Sequence, residues 1–270
     1  MPRFESDAYR TVEEYQFSIE TFARLTSYLL FGFAKQPIDT KNTIIQNFLA
    51  RTVMMVRSVV AIWDMGNVQD CWILHRSLVD RYFHLVTLGK TGEYGTFDDW
   101  SFMRQFEALN RVRSDPTCGG VASSPLFTPT AEQKSRYATL AKSPPQWKRP
   151  KAEDVAKQLR MPFLYSYSYD YASAHVHPMA NDGLEDFFNI TKLEPKPEFP
   201  SQVTVLHNTL LVGCLLVNEA LNQSDFRWHA SVYDFYDGLL KHLDNGSTDY
   251  MAAFAKITKM GPNAKLCEPT

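Results

Sequence analysis

At 270 residues, with 44% hydrophobic, 13% aromatic and 21% charged side chains, the chain is long enough to bury a sizeable core and too apolar for a disordered one. Its 28 Lys and Arg against 30 Asp and Glu give a formal charge of −2, so no whole-molecule field favours nucleic acid or an anionic membrane. The four cysteines, Cys71, Cys118, Cys214 and Cys267, form no C-x-x-C pair; they are expected to be reduced and structural, which points to the cytoplasm.

The N-terminus is charged and polar through Glu20, with no short apolar run of the signal-peptide kind. Ser6 is expected to cap a first helix whose apolar stripe runs through Val12, Tyr15, Ile19, Phe22, Leu25 and Leu29. Pro37 interrupts it. Asp39 or Thr40 caps a second helix, with Ile44, Phe48, Met55, Val59 and Ile62 on one face, ending near Gly66. Asn67 restarts a third, which carries Cys71, Leu74, Leu78, Tyr82, Leu85 and Leu88 to Gly89. Three long helices with short connections predict an antiparallel bundle.

A fourth helix is expected over Thr96 to Arg113, followed by a Gly-, Pro- and Ser-rich break: Asp115-Pro116, Gly119-Gly120, Ser123-Ser124-Pro125 and Pro129. The capping pattern Thr130-x-x-Gln133 opens a short helix to Lys142, and Pro144-Pro145 and Pro150 close it off. Lys151 to Arg160 makes a further short helix. Phe163 to Val176 is rich in aromatics; a helix is favoured over a strand because Tyr169, Ser173 and His177 then share a face.

Pro178, Pro195, Pro197 and Pro200 bracket a long connection. Ser201 then caps an apolar helix through Leu221, Ser224 caps another through His242, and Asp249 to Lys259 ends the series. The most apolar stretch, Thr209 to Val217, is shorter than the roughly 18 residues of a membrane helix, so a soluble protein without membrane contact is expected. The fold class is therefore all-α: one domain over residues 1–270, a multi-helix bundle with an irregular Pro/Gly-rich insertion at about 114–150.

Chemistry concentrates in two rows. Arg76, Asp80 and His84 recur at four-residue spacing on the third helix, and Tyr169, Ser173 and His177 repeat it later. Two such rows facing one another would satisfy a charge that is costly to bury alone. The stretches Arg76-Ser77-Leu78-Val79-Asp80 and Tyr169-x-x-x-Ser173-x-x-x-His177-Pro178 resemble the paired signature, R-x-x-x-E and Y-x-x-x-S-x-x-x-H, of an uncharacterised bacterial helical family. Asp80 stands where that family usually has Glu. The resemblance implies no assigned activity, and some members resemble proteins found near phage-defence genes.

Three readings of function follow. The first is a recognition protein that binds a small ligand or a macromolecular partner, with Asp80, His84, Tyr169 and Ser173 in the site. The second is a metal-independent ribonuclease similar to helical HEPN-type toxins, with Arg76 stabilising phosphorane charge and His177 moving a proton. That family's hallmark, a His a few residues after the Arg on the same helix, is missing. The third is a purely structural polar network, with function exerted through surface contacts.

RNA has one further point of attachment, the basic stretch 132–160. It holds Lys134, Arg136, Lys142, Lys148, Arg149, Lys151, Lys157 and Arg160, with Tyr137 and Trp147 available for stacking. His175 and His177 point apart on a helix and do not form a metal pair, so no metal or cofactor is expected. Nucleotide-binding loops, serine-hydrolase elbows and zinc-protease motifs are missing from the sequence. A helical homodimer is compatible with the polar and aromatic mix.

Overall fold

A computed structural model describes residues 10–35, 39–118, 120, 124–177, 179–180, 183–193, 203–260 and 266–269. The expected features at Ser6, Pro37, Gly119, Ser123, Pro178, Pro195, Pro197, Pro200 and Ser201 lie outside them. The described residues are overwhelmingly helical, and the protein is an all-α multi-helix bundle. Residues 1–87 with 150–270 form one compact unit and residues 88–149 another.

In the first unit, α1 (Val12–Ala34) opens on Thr11, whose hydroxyl accepts from the Glu14 N–H while the Glu14 carboxylate accepts from the Thr11 N–H. This reciprocal pair satisfies two donors that a helix start leaves without partners. Tyr15, Phe22, Leu25, Leu29 and Phe33 are fully buried along one stripe. α2 (Thr40–Asp64) is capped by Asp39, which accepts from the Asn42 N–H. α3 (Val68–Thr91) starts at Asn67, whose side-chain oxygen accepts from the Asp70 N–H at 3.1 Å.

The centre of this unit is the helix Val203–Gln223, buried nearly all round and packed against α1, α2 and the helix Ala230–Asn245. A helix buried on every side reads as a continuous apolar run, which is why Thr209 to Val217 stands out in sequence. Val203–Gln223 and α2 both reach the length and hydropathy of a membrane span, further than the short stretch the sequence suggested. The core helix of a bundle meets the same criterion, and Val203–Gln223 is mostly buried here.

Ala230–Asn245 pairs closely with Asp249–Lys259. At Gly238 an added Cβ would stand 2.7 Å from the Tyr250 backbone nitrogen, so only glycine permits this approach. Ser224 does not cap that helix, contrary to expectation. Its hydroxyl accepts from the Trp228 indole N–H at 2.8 Å, and His229 caps instead through Ser231 N–H. Between them lies the strand Phe226–Trp228, antiparallel to Cys267–Pro269 with Trp228 opposite Cys267. Three-residue strands are too short to show an alternating period.

In the second unit, α4 (Tyr94–Ser114) packs beside the helix Ala131–Leu140, which opens on the expected Thr130–Gln133 capping box. Trp147 is only 5% exposed, 4.8 Å from Phe97 and 4.7 Å from Trp100 between ring centres. Tyr137 stacks on Phe106 at 4.3 Å. Arg136 binds Asp98 and Asp99 at 2.6 and 2.7 Å and lies over the Phe102 ring. The two rings expected to stack on bases are thus taken up in packing this unit, and Arg136 of the basic stretch is paired.

Candidate functional site

The segment after Arg160 is helical, as expected, but not uniformly α. A short α-turn, Pro162–Tyr165, runs into a π-helical stretch, Ser166–Tyr171, and back to an α-turn, Ala172–Ala174. Widening to i→i+5 closure inserts an extra residue and occurs often at functional sites. The aromatics here anchor it to α3. Trp72 is buried with Tyr167 and Tyr171 edge-on to it at 5.7 and 5.2 Å, and His175 stacked along it at 6.3 Å. Tyr167, Tyr171 and His175 follow the same four-residue grammar as Tyr169 and Ser173, a second row that the sequence reading passed over.

Arg76 joins α3 to this segment. Its Nε donates to Ser173 Oγ at 2.8 Å, Nη1 to Asp80 Oδ2 at 2.9 Å and Nη2 to the Tyr169 hydroxyl at 2.7 Å. The guanidinium carbon also lies 4.4 Å from the Tyr169 ring centre, a cation–π contact. Ser173 passes its own proton to the Tyr169 carbonyl at 2.7 Å, so its oxygen is turned to receive Arg76. The Arg76 and Asp80 side chains keep 22% and 25% of their surface, so the pair is half-buried rather than a loose surface couple.

His84 Nδ1 lies 2.7 Å from the Asp80 carbonyl oxygen; a carbonyl only accepts, so Nδ1 carries the proton. His84 thus extends the row by leaning back on it. His177 does not. The helix ends at Ala174, and His177 sits exposed in the bend beyond, with no hydrogen bond to the cluster among the described residues. Pro178 follows it directly in sequence, and a residue before proline is pushed out of the α region.

Arg81 follows Asp80 directly on α3. It is half-buried, donates to the Ser77 carbonyl at 3.1 Å, and feels both Asp80 and Arg51. Burial and the Arg51 charge lower its proton affinity while Asp80 raises it. His75, one residue before Arg76, points the other way into the core. It is fully buried, 3.3 Å from Thr209 Oγ1, and burial pushes its pKa down to about 3. Among the described residues no three His, Cys, Asp or Glu side chains gather as a metal site.

Both rows fall inside residues 42–194, the span that matches the Family of unknown function (DUF5677). No curated protein and no solved structure matches the chain. The match takes in α3, the second compact unit and the π-helical segment, more than half of the sequence, and the chain belongs to the DUF5677 family of unknown function.

Proposed function

We propose that this is a helical recognition protein which binds a small ligand or a macromolecular partner through an anionic or other acceptor group at Arg76. One observation carries the reading: the guanidinium is oriented but not exhausted. Of its five N–H donors, Ser173, Asp80 and Tyr169 take one each among the described residues, leaving two, and the side chain remains in contact with solvent. Arg81, itself near Arg51, flanks Asp80 with further positive charge, which favours an incoming anion.

The test is thermal denaturation against rising inorganic phosphate, acetate and a short single-stranded RNA, with wild type and Arg76→Gln. Recognition at Arg76 predicts a saturable rise in Tm for at least one probe that the variant lacks. An equal rise in both proteins would remove Arg76 from the site.

A structural network is supported by the same three bonds, and it predicts that Arg76→Gln lowers stability while no probe shifts either protein. For the ribonuclease reading, Arg76 supplies the charge-stabilising half of the chemistry. Its proton-transferring half is without geometric support, because His177 lies beyond the helix end. Exposed Lys134, Lys142, Lys148 and Arg149 support an RNA contact by charge alone. A place in bacterial defence rests on the motif resemblance, and a plaque assay with cells carrying wild type or Arg76→Gln tests it.

A further inference from the structure

A second site lies elsewhere in the first compact unit, where a cavity of about 370 Å3 opens between the turn at Arg160, the core helix Val203–Gln223 and the helix Ala230–Asn245. Leu211, Leu215 and Leu243 make most of its wall apolar, and Arg160, Asp244 and His207 are its polar groups. A mostly apolar concavity of this size with few polar groups is the usual form of a small-molecule site. We propose that this cavity binds a small zwitterion with an apolar side chain, chemically an apolar α-amino acid, its carboxylate meeting Arg160 and its ammonium meeting Asp244.

Arg160 and Asp244 line the same cavity with opposite charges, and neither side chain has a hydrogen bond or ion pair among the described residues. A ligand of one charge would leave the other group unmatched, whereas a zwitterion answers both. The third polar group adds no charge. The Tyr15 hydroxyl accepts from the Arg10 N–H at 3.1 Å and is hydrogen-bonded to His207 Nδ1 at 2.8 Å. Burial, with Arg10 and His242 nearby, pushes the His207 pKa down to about 4 and keeps the ring neutral.

The backbone supplies an independent argument. The helix Ala152–Gln158 ends with Met161 N–H on the Ala156 carbonyl at 3.0 Å, and Arg160 holds the left-handed position of that motif, φ 57°. Glycine is the usual residue there, because an L side chain is strained. An arginine at a strained position on a cavity wall is what a side chain kept for binding looks like.

Isothermal titration of the full-length chain with L-leucine and L-phenylalanine tests this. The comparison ligands are 4-methylpentanoate, which lacks the ammonium, and 3-methylbutylamine, which lacks the carboxylate. At least one amino acid should bind saturably, and both single-charge analogues should bind about ten-fold or more weakly than leucine. Arg160→Gly should abolish amino-acid binding without lowering Tm, since glycine relieves the backbone; a folding defect and a binding defect are thereby separated. Absence of binding by wild type, equal binding of an analogue, or wild-type affinity in Arg160→Gly would each overturn the proposal.

Discussion

Arg76 meets Tyr169 twice: its Nη2 donates to the phenol oxygen at 2.7 Å while its guanidinium carbon lies 4.4 Å from the ring centre. The two contacts separate cleanly by mutation. Tyr169→Phe removes the hydroxyl and keeps the ring, and should cost about 1 kcal/mol because water can reach the half-buried guanidinium. Tyr169→Ala also removes the cation–π contact and the packing on Phe83 and Tyr165, and should cost about 3 kcal/mol. Chemical denaturation of the two variants measures the difference; equal losses would mean that the ring contributes nothing.

Asp80 both orients Arg76 and competes with any incoming anion. Asp80→Asn keeps an acceptor oxygen for Nη1 but removes the negative charge. Stability should fall by about 1 kcal/mol, while affinity for inorganic phosphate rises several-fold. Denaturation and phosphate titration read the two effects, and weaker phosphate binding in Asp80→Asn would contradict the site's assigned polarity.

Gly238 presses against the Tyr250 backbone. Alanine is a better helix former by about 1 kcal/mol, so propensity alone predicts stabilisation. Its Cβ has no room, and backbone cannot swing aside as a flexible side chain can. Gly238→Ala should therefore destabilise by about 1–3 kcal/mol in a denaturant melt. A more stable variant would mean the two helices do not approach this closely.

His75 makes stability depend on pH. Its pKa is pushed from 6.5 down to about 3 in the folded protein, while the unfolded chain keeps the ordinary value. Between those values the unfolded state binds the extra proton, so stability falls as pH drops below about 6.5 and the loss is complete near pH 3. His207, lowered to about 4, acts in the same direction. His75→Leu should flatten the Tm profile between pH 7 and 4, and an unchanged slope would assign the effect to other groups.

The helical order of this protein is legible because its stripes are long. Tyr15, Phe22 and Leu29 on α1 and the apolar run inside Val203–Gln223 leave little doubt about period or burial. Ends are harder to read, since several residues compete for each cap. α3 runs past Gly89 to Thr91 and stops where Gly92 takes a positive φ. Ser224 resembles a cap, yet the Trp228 indole claims its hydroxyl. The site is legible where helical spacing holds, at Arg76, Asp80, Tyr169 and Ser173. It fails at His177, where the helix has already ended, although Pro178 announces that end. Trp147 and Tyr137 read as stacking platforms in a basic stretch, because sequence does not reveal that Phe97, Trp100 and Phe106 already cover them.

The most direct test of recognition at Arg76 is an NMR titration that follows its Nε–H signal while inorganic phosphate is added. Binding at this group predicts a resolved signal, held by Ser173, that shifts saturably with phosphate and is lost in Arg76→Gln. A signal that stays fixed while resonances elsewhere move would show that Arg76 serves the fold and that anions bind at another surface.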